Sequence, residues 1–288
     1  MKLLPGVVFP SSPAMQDALS AGLSFLPRYK LFLAKEAEFS FLAGSDASRT
    51  SSICQALVDP EVDVLLAARG GHGALRLDRK RIFEHLRQFP KPIVGFSDIT
   101  ALHFLWSQAG VPSFFGPNVT QLPMLASQHC HRFLTLLDGQ LDAMKISLTC
   151  LTNCFDRPIC APLCGANLTV AVCTVGTPWS FSWNGKIVVL EEIRESAYRL
   201  DRMLWQLFHA TDLSEAAALV LGEFTECSGF QINWLVKACQ TWAPRLPVFA
   251  GFPGGHGQSN VVFRFGGEAH LNGSGELFLR PYFWDYAL

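Results

Sequence analysis

A chain of 288 residues with 49% hydrophobic and 16% charged side chains has enough apolar material for a sizeable core, which argues against disorder and fits one large or two medium domains. Its 23 basic residues nearly balance 24 acidic ones, giving a formal net charge of −1, and no basic run occurs; nucleic acid and anionic membrane are therefore poor partner candidates. No apolar stretch reaches the roughly 18 residues of a membrane span. The start, MKLLPGVVFP, carries one Lys and a short apolar run broken by Pro5-Gly6, without a small-residue cleavage site, so no signal peptide and a cytoplasmic location are expected. Nine cysteines, an odd number without secreted-type spacing, agree with that compartment.

In chain order, Val7–Phe9 reads as a strand ending in the turn Pro10-Ser11-Ser12, and Lys30–Ala34 as a second strand. Ser45-Asp46 caps a helix running toward Leu57. Val62–Ala68 is an apolar strand followed by the loop Gly70-Gly71-His72-Gly73, and Leu77–Leu86 has helical character. Pro92–Gly95 is a strand, and Asp98–Gln108 a helix stopped by Gly110. Strands alternating with helices predict a parallel sheet covered on both faces, with ligands at the carboxyl ends of its strands. The pattern weakens from about 123 to 160, which reads as a helix, a linker and the start of a second domain. Beyond it, Asn167–Thr174 is helical, Lys186–Leu190 a strand, and Tyr198–Phe208 an amphipathic helix with Leu200, Met203, Leu204, Leu207 and Phe208 on one face. Ala217–Leu221 and Pro247–Ala250 are strands, and Val261–Phe265, Ala269–Leu271 and Glu276–Leu279 read as a closing β meander. The expected organisation is α/β: an N-terminal parallel-sheet domain over 1–122, a linker over 123–158, and a C-terminal mixed α+β domain with a β-rich end over 159–288. An active site would sit in the cleft between the two domains.

Four segments can carry chemistry. Ser97 follows the buried strand Ile93-Val94-Gly95 and opens a helix, where its hydroxyl would be exposed and the N–H of Asp98 could face a developing oxyanion; a plain helix cap is the competing reading, and the simpler one for this segment alone. The last Gly of a G-x-S-x-G elbow is replaced by Ile99. The loop Arg69-Gly70-Gly71-His72-Gly73 fits close backbone approach, as a phosphate loop, an oxyanion loop or a tight turn, but lacks Gly-Lys-Ser/Thr. Glu191-Glu192 ends an apolar strand, as a histidine-orienting carboxylate or as a solvated pair. His256 lies in the glycine-rich loop Gly251–Gly257. Cys150, Cys154, Cys160 and Cys164, spaced four, six and four, allow zinc but lack C-x₂-C pairs, so buried thiols are the simpler reading.

Taken together and in order, these segments resemble the LD-carboxypeptidases, serine peptidases (the S66 type) that trim murein peptides. The matching motifs are Arg69–Gly73, Gly95–Asp98 with Thr100, Gly116-Pro117, Gly165-Ala166-Asn167-Leu168, Gly176–Trp179, Leu190–Glu195 with Tyr198–Leu207, and Gly255-His256. They span about residues 7 to 272. The resemblance implies Ser97 as nucleophile, His256 as general base and Glu191 as the carboxylate orienting the imidazole, with the backbone N–H groups of Gly71 and Asp98 as oxyanion hole. His72 stands where relatives carry Tyr, Ala166 for a second Gly, Glu192 for Asp, and Asn118 where Met is frequent. Arg69, His72, Asn118 and Arg202 are the substrate-binding candidates, and Arg69, Arg76 or Arg202 would take a terminal carboxylate. The implied reaction is hydrolysis of an L,D peptide bond, releasing D-alanine from a murein tetrapeptide or related muropeptide in wall recycling. Cleavage of a peptide–nucleotide antibiotic in self-immunity, or a non-catalytic binding role, are the alternatives. No cofactor and no metal are expected, nor a nucleic-acid or membrane partner, and a homodimer is left open.

Overall fold

The computed structural model describes residues 2–36, 39–152, 155 and 157–284. The chain forms two compact units: residues 1–141, 261–264 and 283–288 in one, and 142–260 and 265–282 in the other.

The first unit is built on a six-stranded sheet. Strands β1 (Pro5–Val8), β2 (Lys30–Phe32), β3 (Val64–Ala67), β4 (Ile93–Gly95) and β5 (Ser113–Phe115) pair in parallel in the order β5-β4-β3-β1-β2, and Phe263–Phe265 adds an edge beside β5. The residues of β1, β3, β4 and β5 are buried throughout, as continuous apolar runs in a doubly covered sheet must be. Helices Gln16–Leu23, Asp46–Val58, Arg79–Gln88 and Thr100–Ala109 connect them. Ser45 caps the second by accepting from Ser48 N–H (3.2 Å), as its sequence indicates, and Asp78 caps the third from Arg81 N–H at 3.0 Å. The chain runs outward from β1 to β2 on one side and from β3 to β5 on the other. The loops after β1 and β3 therefore part company at a topological switch point, where open parallel sheets form their ligand crevices.

The second unit holds an eight-stranded mixed sheet. Ile159–Asn167, Ile187–Ile193, Ala218–Thr225 and Val248–Ala250 are parallel neighbours. Antiparallel strands flank them: Gly267–Leu271, Glu276–Leu279 and Met144–Ser147 on one side, Thr149–Cys150 on the other. Helix Ala197–Ala210 buries Leu200, Leu204, Leu207 and Phe208, each worth about 1.5–3 kcal/mol of apolar burial; Met203, expected on the same face, is only half-buried. Among the described residues no helix is long and apolar enough to cross a membrane.

Two expectations change. The described residues of 123–158 do not form a linker: helix Ser127–Leu137 belongs to the first unit and buries Phe133, Leu136 and Leu137, while Met144–Ser147 and Thr149–Cys150 are edge strands of the second sheet. Polar and turn residues there mark exposed faces and sheet edges. Phe263–Phe265 is likewise no part of the closing meander. It joins the first sheet, where Phe263 stacks on Phe115 (centroids 5.1 Å apart), leaving Gly267–Leu271 and Glu276–Leu279 as a hairpin.

Candidate active site

In the first unit, Ser97 stands directly beyond β4 at φ +66, a left-handed conformation costing a non-glycine residue ~1 kcal/mol or more. The helical turn begins at Ser97 itself, with Phe96 in the cap position, so the helix-cap reading of Ser97 does not describe this geometry. Such a strained residue on a strand-to-helix turn is held only if its surroundings over-determine it, and three neighbours do so. His103, fully buried, donates from Nε2 to the Gly95 carbonyl (2.9 Å) and accepts at Nδ1 from Ser113 Oγ (3.0 Å). Asn118 Oδ1 accepts from Phe96 N–H at 3.4 Å. Gly70 packs so closely that a Cβ there would lie 2.9 Å from Ser97 Cβ and 3.1 Å from Ser97 Oγ, which is why glycine is required.

The Gly70–Gly73 loop is pinned from below. His72 N–H donates to Ser12 Oγ (3.0 Å), in the turn after β1, and Gly71 adopts φ +106. Arg49 is wholly buried and donates to the carbonyls of Gly73 (2.9 Å), Gly44 (3.2 Å) and Pro10. Asp98, 4% exposed, accepts from Ala74 N–H at 2.8 Å, and burial pushes its carboxyl above the usual range. The loops after β1, β3 and β4 thus converge at the switch point around Ser97.

In the second unit, Glu191 Oε2 lies 2.8 Å from His256 Nδ1; the carboxylate is fully buried and the imidazole 17% exposed. Burial pushes the Glu191 carboxyl up. Burial also works to lower His256, but the hydrogen bond and charge of Glu191 outweigh it, holding the imidazole above its ordinary value. The pair depends on an irregularity in strand pairing: Leu190 faces Leu221 and Glu192 faces Phe224, so Gly222 and Glu223 bulge opposite Glu191. A Cβ on Gly222 would fall 2.6 Å from the Gly254 carbonyl and 3.3 Å from Glu191 Cβ, so glycine lets the histidine loop close over the carboxylate. Glu223 then clamps that loop, donating from its N–H to Gly254 O (3.0 Å) and accepting from Gly257 N–H (2.8 Å).

Glu192 is no solvated neighbour. It is 2% exposed and accepts from Asn167 Nδ2 (2.9 Å), Thr169 N–H (2.8 Å) and Thr169 Oγ1 (2.6 Å), at the start of helix Leu168–Thr174. Strand alternation sends it to the face opposite Glu191.

Of the substrate-binding candidates, Arg69 and His72 are exposed in the first unit, Arg69 donating to Pro13 O at 2.6 Å. Asn118 is 4% exposed and braces the Ser97 turn. Arg202 lies over the Tyr198 ring at 5.6 Å in the second unit, and Arg76 is bound to both oxygens of Asp46. Of the cysteine cluster, Cys154 lies outside the described residues. Cys150 is four strands away from Cys160, about 19 Å at ordinary strand spacing, and Cys164 is buried with its thiol pushed up to about 12. These cysteines therefore do not form one metal site. Arg49, Ser12, His103 and Glu223 escaped the sequence reading. Only a buried charge inside the polar helix Asp46–Val58 could have signalled Arg49, and periodicity does not show burial of a single residue.

A strained serine on a strand-to-helix turn and a buried carboxylate–imidazole pair are each arrangements that hydrolases use. Residues 6–116 match the N-terminal domain model of LD-carboxypeptidases and residues 161–271 the C-terminal domain model, and the chain belongs to this family. A Synechocystis protein with a provisional carboxypeptidase name is 35% identical over 247 residues, covering 82% of this chain and 78% of its own. The murein tetrapeptide carboxypeptidase of Pseudomonas aeruginosa is 29% identical over 290 residues, covering 93% and 92%. The crystal structure of muramoyltetrapeptide carboxypeptidase from Oxalobacter formigenes superposes with a TM-score of 0.82 at 28% identity, covering 99% of each chain.

Proposed function

We propose that this chain is a serine-type carboxypeptidase that hydrolyses the L,D bond before the terminal D-alanine of a murein tetrapeptide, leaving a tripeptide. The observation that carries this is the buried Glu191 carboxylate held 2.8 Å from His256 Nδ1. A carboxylate there fixes the proton on Nδ1, leaves Nε2 as the basic atom, and stabilises the imidazolium that forms when a hydroxyl is deprotonated. Ser97 supplies that hydroxyl. Its Oγ attacks the carbonyl carbon, its proton passes to His256 Nε2, and the Gly71 and Asp98 N–H groups receive the oxyanion. Collapse expels D-alanine as the amine, protonated by His256, and water repeats the sequence on the acyl-enzyme. Arg69 and Arg202 are the cations proposed for the terminal carboxylate. The names of the Pseudomonas and Oxalobacter relatives supply the substrate class.

Incubation with L-Ala-γ-D-Glu-meso-diaminopimelate-D-Ala, the all-L tetrapeptide and a peptide–nucleotide conjugate, read by mass spectrometry, tests the reading. D-Alanine should leave the first alone, and Ser97→Ala should cut turnover by a factor on the order of 10³ or more with the fold retained. Equal release from the all-L peptide would overturn the stereochemical assignment. Near-normal turnover in Ser97→Ala would remove Ser97 from the chemistry.

A further inference from the structure

We propose that Cys160, Glu268 and His270 form a binding site for a zinc-class divalent metal ion, which Arg280 occupies as a displaceable internal cation. The site lies at the far end of the second sheet from Glu191. Glu191 pairs with Asn167, seven residues along the same strand from Cys160, or about 23 Å at strand rise.

The backbone builds the cluster. Strands Ile159–Asn167 and Gly267–Leu271 are antiparallel, with His270 directly opposite Cys160 and Glu268 opposite Pro162, so all three side chains leave one face of a regular ladder. Their donor atoms already stand at coordination spacing. Cys160 Sγ is 3.5 Å from His270 Nε2, and His270 Nε2 is 3.2 Å from Glu268 Oε1. Two ligands on a tetrahedral zinc, with Zn–S near 2.3 Å and Zn–N or Zn–O near 2.0 Å, are separated by about 3.5 Å for S···N and about 3.3 Å for N···O. The three atoms all lie within 4.8 Å of one another.

A second observation is independent of spacing. Arg280 Nη2 sits 3.1 Å from His270 Nε2 and 2.5 Å from Glu268 Oε1. Nε2 is thus the atom His270 turns to the cluster, shared between the Glu268 carboxylate and the Arg280 guanidinium, and in its deprotonated form it is the atom with which the imidazole would bind metal. The cluster thus already attracts a cation, and the Arg280 side chain is 56% exposed and can swing out. On metal binding the Cys160 S–H bond breaks, its proton passes to solvent, and a metal–sulfur bond replaces it. Thiolate, imidazole and carboxylate together suit zinc over magnesium or calcium, and water would complete the tetrahedron.

Cobalt(II) titration of chelator-stripped protein tests this through the thiolate-to-cobalt charge-transfer absorption. Wild type should show one saturable band, displaced by zinc. Cys160→Ser should abolish it and His270→Gln weaken binding at least about tenfold. Cys173→Ser, at an exposed cysteine elsewhere, should leave it intact, and Arg280→Met should strengthen binding by removing the competing cation. Zinc should raise the melting temperature of wild type but not of Cys160→Ser. Peptidase turnover should be indifferent to chelator in every variant, which separates failure of this site from failure of the proposed catalysis. Absence of the band in wild type, or its persistence in both Cys160→Ser and His270→Gln, would overturn the proposal.

Discussion

Glu191 and Glu192 are adjacent, both buried, and turned to opposite chemistry. Glu191 faces one imidazole. Glu192 accepts from Asn167, from both donors of Thr169, and from Ile193 N–H at 2.9 Å. Removing charge should therefore separate rate from stability. Glu191→Gln keeps shape but can present an amide donor to Nδ1 and favour the wrong tautomer, so kcat should fall by several orders of magnitude. Glu192→Gln turns an acceptor-only group into one with two donors that face donors, so it should cost about 1–3 kcal/mol of stability while changing kcat less than about tenfold. Steady-state kinetics and urea denaturation of the two variants decide; a dead Glu192→Gln with normal stability would reverse the assignment. At this scale the places were legible and the roles were not: the glycine-rich loops around Gly71 and His256 and the strand-end Ser97 stood out, yet each alone also read as a turn or a cap. The partners of Glu192 were not legible, because which way a buried carboxylate turns depends on the register and on Asn167, 25 residues earlier.

The turn after β4 is held by an element that local sequence does not associate with it. His103, on helix Thr100–Ala109, spans the backbone of β4 and the Ser113 side chain of β5, and burial drives its imidazole down to about 4. It is therefore neutral in the folded protein near neutral pH. Because the folded value lies below the unfolded one of 6.5, its contribution is present above 6.5 and is lost as pH falls toward 4, amounting to about 3 kcal/mol. Urea midpoints at pH 7 and 4 should fall more steeply in wild type than in His103→Gln, which keeps a donor without a proton to gain; parallel losses would show that His103 does not control the acid limb. Strong elements were readable: the capped helix Asp46–Val58, the amphipathic helix Ala197–Ala210, the apolar runs of β3 and β4. β5 is three residues long and gives no period. Ile159–Asn167 is the longest strand described, yet Pro162 and Gly165 within it speak against a strand; Pro162 is tolerated where the ladder pairs it with Glu268.

Across the whole molecule, the alternation of strand and helix made two layered units and a parallel sheet foreseeable, because it is a local signal repeated many times. Membership of a sheet is not local. Nothing in Phe263-Arg264-Phe265 says that it belongs beside β5 rather than beside the strand two residues further on, and nothing in the cysteine spacing says that Cys160 will meet His270, 110 positions away. The excursion of residues 261–264 into the first unit makes that unit discontinuous, with a covalent consequence. No single cut releases it whole, since a fragment ending at 141 lacks the segment that covers the outer side of β5. Such a fragment would present Ser113–Phe115 as a bare apolar edge, ready to pair with another copy. Expressed alone, residues 1–141 should sediment as aggregate, and adding a peptide of residues 259–266 in excess should return part of it to solution as monomer. A soluble, monomeric 1–141 would show the edge to be dispensable. If instead the peptide is needed, the interleaved chain path makes gene fission between the two family domains hard to tolerate.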